Sequence, residues 1–112
     1  MLSILRRTSI WIMALLLTAC STMQAGRNFD LSSLEAKIER GSTTQSQVRT
    51  WLGDPSSMGI SVDSGGERFD DWTYFFATGK LPGMSNLKVK LLQLRFDKQG
   101  VVRGYNWSSS GP

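Results

Sequence analysis

The chain has 112 residues, 40% of them hydrophobic and 20% charged, with 13 basic against 9 acidic side chains, a length that holds one compact domain and leaves no room for a second. Cys20 is the only cysteine and histidine is absent, which excludes an intramolecular disulfide, zinc-type sites and histidine-based acid/base catalysis. Basic residues are spread from Arg27 to Arg103 without a Lys/Arg run, so no nucleic-acid partner is expected.

The chain opens with Arg6 and Arg7, an apolar run over residues 10–17, and the tetrapeptide Leu17-Thr18-Ala19-Cys20, the layout of a secretory signal. An apolar helix of that length spans about 12 Å against a hydrocarbon core of roughly 30 Å, which disfavours a permanent transmembrane span. Leu-Thr-Ala-Cys resembles the bacterial lipobox. That resemblance implies a signal peptide over residues 1–19, cleavage after Ala19 and a covalent lipid on Cys20, the only non-protein group expected. Ser21, rather than aspartate, follows the cysteine, which by the same resemblance implies an outer-membrane lipoprotein facing the periplasm. Two or three acyl chains hold durably where one holds marginally. Without its 19-residue leader the 112-residue chain has 93 residues, and loss of Arg6 and Arg7 leaves 11 basic against 9 acidic side chains. Residues 20–29 are small, polar and aperiodic, and are predicted to form the lipidated N-terminus and a flexible linker.

From Asp30 the pattern turns helical, with Leu31, Leu34 and Ile38 on one face, Asp30 as cap and Gly41 as stop. A second helix follows, with Thr44 and Gln47 spaced as a capping box, Val48, Trp51 and Leu52 on one face, and Gly53 and Pro55 ending it. Residues 58–62 suit a short extended segment before the turn signal Asp63-Ser-Gly-Gly66. Trp72, Tyr74 and Phe76 alternate with Thr73 and Phe75 as in a strand with one aromatic face on the helices. Leu92, Leu94 and Phe96 form another strand, joined through a turn over residues 97–100 to a third, in which Val101, Tyr105 and Trp107 share parity. Leu87, Val89 and Leu91 have the opposite parity to Leu92, Leu94 and Phe96, which calls either for a bulge near Leu91 and Leu92, the favoured reading, or for a separate extension before Leu91 that packs differently. The expected architecture is a two-layer α+β domain over residues 30–108, with two short helices packed on a three-stranded antiparallel sheet in the order ααβββ. A short extra strand before Asp63 is an option, and residues 109–112 are expected as a tail.

The run Gly41-Ser-Thr-Thr44-Gln-Ser-Gln-Val48-Arg-Thr-Trp-Leu52-Gly53-Asp-Pro55, the aromatic strand Trp72-Thr-Tyr74-Phe-Phe76, and Leu92-Gln-Leu94-Arg-Phe96-Asp97 with Gly100 and Val101 resemble the SmpA/OmlA (BamE-like) family of bacterial outer-membrane lipoproteins. The likeness runs from about Leu34 to Tyr105. The Gly41 to Val48 spacing is one residue longer than in the family's best-known member and matches a Gly-x-Thr-Thr variant. The resemblance implies a BamE-like fold and an accessory, protein-binding role in β-barrel outer-membrane protein assembly or envelope maintenance. A different envelope role on the same fold is the alternative: stress response, secretion-apparatus subunit or enzyme inhibitor. Gly41, Thr44, Val48, Leu52, Gly53 and Pro55 each have a local structural reason to be there, as turn, cap, core or stop.

Catalytic candidates are thin. Asp70 and Asp71 are adjacent, so in a strand they point to opposite faces and make a poor acid/base pair; solvated loop charges are the simpler reading. The serines fall mainly in turns and the tail, none with a visible base. No enzyme, metal or small-molecule substrate is expected. Candidate partner or lipid contacts are Leu81 and Met84 in the Gly/Pro loop over residues 78–86, for which folding back over the sheet edge is the simpler reading, Phe75 on the parity opposite the aromatic core, and Lys88, Lys90 and Arg95 near an anionic surface, for which a solvated strand face is the simpler reading.

Overall fold

The computed structural model describes residues 22–111; the leader, Ala19, Cys20 and Ser21 lie outside the described residues. Seven elements follow in order: β1 (Thr22–Gly26), α1 (Leu31–Lys37), α2 (Gln45–Leu52), β2 (Ser57–Val62), β3 (Arg68–Lys80), β4 (Ser85–Phe96) and β5 (Val102–Ser110). All strand pairs are antiparallel: β3 and β4 form the centre, β5 flanks β4, and β1 and β2 share the other edge of β3 end to end. Among the described residues no helix is long and apolar enough to cross a membrane.

This overturns the three-stranded sheet. The sheet has five strands, and both additions lie on the same edge of β3. Residues 22–26, expected as flexible linker, form β1 in register with β3, Thr22 opposite Lys80 and Gly26 opposite Phe76. Gly26 has φ +74°, and a Cβ there would run into the Phe75 carbonyl oxygen, so only glycine permits this approach. The segment 58–62 is a full strand against residues 68–72. The first two residues of the expected tail, Ser109 and Ser110, are also strand, since β5 runs to Ser110 with Val89 opposite it.

The α1 helix is shorter than its pattern. Asp30 Oδ1 accepts from the Ser33 N–H at 3.0 Å, but the helix ends at Lys37, and Ile38 turns extended while remaining buried. Gly41 is therefore not its stop. It lies in the connector at φ +85°, where its N–H donates to the Val102 carbonyl at 2.8 Å. The α2 helix has both arms of the capping box: Thr44 Oγ1 accepts from the Gln47 N–H at 3.3 Å and Gln47 Oε1 from the Thr44 N–H at 3.0 Å. Gly53 closes it at φ +82° with its N–H on the Arg49 carbonyl.

Both helices lie on one sheet face. The core joins Leu31, Leu34, Val48 and Leu52 to Trp72, Tyr74, Phe76, Leu92, Leu94, Phe96 and Val102, with Phe29 and Ile38 completing it. The Trp72 and Phe96 rings meet edge-on at 4.8 Å between centroids, a favoured aromatic geometry. Tyr74 donates its hydroxyl to the Gly53 carbonyl at 2.7 Å, and burial pushes its pKa up to about 12. The core thus keeps its one deep phenol satisfied.

No bulge occurs at Leu91 and Leu92: β4 pairs with β3 without interruption from Lys88 to Phe96. The irregularities are at Thr78/Lys80 and, between β4 and β5, at Arg95/Phe96. The second brings Val102 opposite Phe96, so Val102 is fully buried while Tyr105 and Trp107 stay partly exposed. The β4–β5 turn is built on Asp97, whose Oδ1 accepts from the Gln99 and Val101 N–H groups and whose Oδ2 accepts from Arg103 Nε at 2.8 Å. These donors, the Val101 N–H first, hold the Asp97 carboxyl below its usual range.

Candidate interaction surface

Strand parity decides what each sheet face carries. The residues that alternate with the core set point away from the helices: Phe75 and Ala77 on β3, Leu87, Val89 and Leu91 on β4, and Met23 and Ala25 on β1. Register places Phe75 opposite Leu91, Ala77 opposite Val89 and Ala25, and Met23 opposite Gly79. Phe75 is 36% exposed, Leu87 44% and Met23 55%, while Val89 and Leu91 are half-buried by their neighbours. The two apolar sets on β4 therefore need no bulge, because one faces the helices and the other faces outward.

The outward face changes character along the strands. Beyond Phe75 it becomes more polar, with a shallow depression of about 330 Å³ lined by Asp71, Thr73, Gln93, Arg95 and Asn106 together with Leu94, Gly104 and Tyr105. Arg95 Nε lies 3.2 Å from Asp71 Oδ1, and its guanidinium sits over the Phe69 ring at 5.1 Å. Such a half-exposed pair contributes little stability and sets side-chain orientation instead. Between the two halves, the Phe75 N–H donates to Ser56 Oγ at 3.0 Å where neither β1 nor β2 reaches β3.

Several expected contact residues separate here. Lys88 and Lys90 share the helix-side parity, whereas Arg95 points outward near the opposite end, so the three do not form one basic patch. Lys90 is engaged in structure: its Nζ donates to Asn28 Oδ1 at 3.0 Å and to the Phe29 carbonyl at 3.1 Å, tying the segment after β1 to β4. Met84 folds back, its Cε so close to Gly79 that a Cβ there would lie at 2.8 Å. Leu81, by contrast, stays 39% exposed at the β3–β4 turn. Asp70 and Asp71 are strand residues, not loop charges, and they diverge: Asp71 reaches Arg95 across the outer face, and Asp70 borders a cleft with Gln45, Met58, Ile60 and Trp72 on the helix side.

Of the family-like motif, Val48 and Leu52 are core, Thr44 caps, and Gly41 and Gly53 take positive φ. Pro55, half-buried, stands between α2 and β2. The motif makes the helix and its exits. It contributes nothing to the outward apolar face, whose residues come from β1, β3 and β4.

The β2 strand adds a second exposed apolar stripe. Met58, Ile60 and Val62 share the helix-side parity but lie beyond the helices' cover, each at least 60% exposed. Alternation within residues 58–62 carried this signal in sequence, yet periodicity alone does not tell a buried stripe from an open one. Among the described residues no group of three or more acidic or cysteine side chains converges as a metal site. Comparison with known proteins finds no matching family model and no matching curated sequence.

Proposed function

We propose that the protein is a non-catalytic lipoprotein of the outer membrane, facing the periplasm, which binds other proteins in β-barrel outer-membrane protein assembly or envelope maintenance. The observation that carries the binding role is the uncovered sheet face, where Phe75, Leu87, Val89, Leu91 and Met23 form one contiguous apolar surface. Contiguous exposed apolar area on a small domain marks an interaction site. The anchor rests on Leu17-Thr18-Ala19-Cys20 and on Ser21 after it, and the assembly setting on the likeness of residues 41–55 to the SmpA/OmlA family. The anchor's covalent lipid is the only added group this role requires.

A photo-crosslinking residue at Phe75, activated in intact cells, should capture components of the barrel-assembly machinery. Phe75→Ser should lower the co-purification of those components from detergent-solubilised envelopes. A deletion strain should show reduced barrel-protein levels. Unchanged barrel proteins in that strain, together with no crosslink to the machinery, would overturn the proposal.

A further inference from the structure

The register of β1 has a geometric consequence for any anchor that precedes it. Thr22 lies opposite Lys80, the last residue of β3, so the chain enters the sheet beside the β3–β4 turn, residues 81–84. Cys20 is two residues before Thr22, a separation that extended chain spans in at most about 7 Å. The side chains at this end suit a bilayer interface. Leu81 at the turn, Leu87 at the start of β4 and Met23 on β1 are all exposed, 39%, 44% and 55% respectively. Lys80 and Lys88 flank them, both exposed. None of the nine acidic residues falls within residues 22–29, 77–91 or 107–111, the described segments toward this end of the sheet. The acidic residues of the β-strands and their turns (Asp63, Glu67, Asp70, Asp71 and Asp97) cluster toward the far end, around the β2–β3 and β4–β5 turns. Exposed apolar side chains with lysines beside them, whose ammonium groups can reach headgroups, are the composition of an interfacial contact.

We infer that the β3–β4 turn is a membrane-contacting foot: Leu81, with Leu87 and Met23 behind it, enters the bilayer interface beside the acylated Cys20, and Lys80 and Lys88 meet the headgroups. The inference rests on lipidation of Cys20. It fixes how the domain stands, with the sheet's strands rising from the membrane and the β2–β3 turn at Ser64 farthest from it. The rest of the outward apolar face, Phe75, Val89 and Leu91, then runs upward from the membrane surface, where a partner can reach it.

The test uses the lipidated protein purified from envelopes, whose acylated Cys20 leaves no free thiol. Leu81→Cys and, as the distal reference, Ser64→Cys are each labelled with an environment-sensitive fluorophore and placed in phosphatidylethanolamine–phosphatidylglycerol vesicles carrying spin-labelled lipid. The expected result is a blue shift and strong quenching at position 81 and neither at position 64. Mass spectrometry of the N-terminal peptide first establishes the acyl groups. An unmodified Cys20 overturns the anchor and this orientation with it. An acylated Cys20 with equal, weak quenching at both positions overturns the orientation alone.

Discussion

The two faces of β4 begin from similar material and end in different states. Leu92, Leu94 and Phe96 on one side are at most 1% exposed, whereas Leu87, Val89 and Leu91 on the other range from half-buried to exposed. Both sets are aliphatic or aromatic, both alternate, and both lie on a central strand. The difference is cover: α1, α2 and the segment holding Phe29 seal the first face, and no element of the described chain crosses the second. Strand composition therefore identifies two apolar faces, and only the placement of the helices decides which of them is core.

That contrast is open to direct attack. Phe96→Ala removes a fully buried ring that packs edge-on against Trp72 and should cost about 3–5 kcal/mol, read from the urea unfolding midpoint. A loss close to that of an outward residue would erase the distinction between the faces. Gly26→Ala forces a Cβ against the Phe75 carbonyl at a positive φ, with a strain on the order of 1–3 kcal/mol. Because β1 pairs only with β3, the expected readout is local: faster amide exchange over residues 22–26 with β4 unchanged. Slow exchange retained there would mean that β1 is held by more than this one approach.

Tyr74→Phe deletes the 2.7 Å hydrogen bond to Gly53 and should cost about 0.5–1.5 kcal/mol. Its pH dependence sharpens the prediction. The unfolded chain releases the phenol proton near 10.0 and the native protein only near about 12. The associated stability is therefore intact below the lower value and is lost as pH rises through the upper one. Urea midpoints across this range should fall more steeply for the native sequence than for Tyr74→Phe. Phe75→Ser, on the open face where the ring is 36% exposed, should cost about 1 kcal/mol, far less than Phe96→Ala, while affecting partner capture most.

Much of the helical layer was legible in the sequence. The Thr44/Gln47 pair caps α2 because its spacing lets both side chains reach backbone N–H groups, a local property that needs no tertiary context. Trp72, Tyr74 and Phe76 likewise announced a buried strand face. The strand count was not legible, for a physical reason. Residues 22–26 have weak strand composition and are held by pairing to a partner some fifty residues away, with a glycine whose role exists only once Phe75 is beside it. Asp97 and Arg103 show the same limit. The turn was readable, but the shifted register that puts Val102 rather than Val101 into the core depends on how β5 meets β4. For the surface, Phe75 and Leu81 were identifiable by parity and loop position. Lys90 and Met84 were not separable from them, because their occupation by Asn28, Phe29 and Gly79 is non-local for the lysine and a matter of turn geometry for the methionine.

The divided edge of β3 bears on self-association. Because β1 and β2 share that edge as two short strands, with Ser56 holding Phe75 at the break, no long uninterrupted row of backbone donors and acceptors is offered there to another chain. The other rim differs. The α1–α2 connector covers the start of β5, with Gly41 donating to the Val102 carbonyl and the Val102 N–H donating to the Thr43 carbonyl, but from Arg103 to Ser110 β5 pairs, among the described residues, only with β4. Strand-to-strand polymerisation, where it occurs at high concentration, should therefore propagate from the serine-rich end of β5.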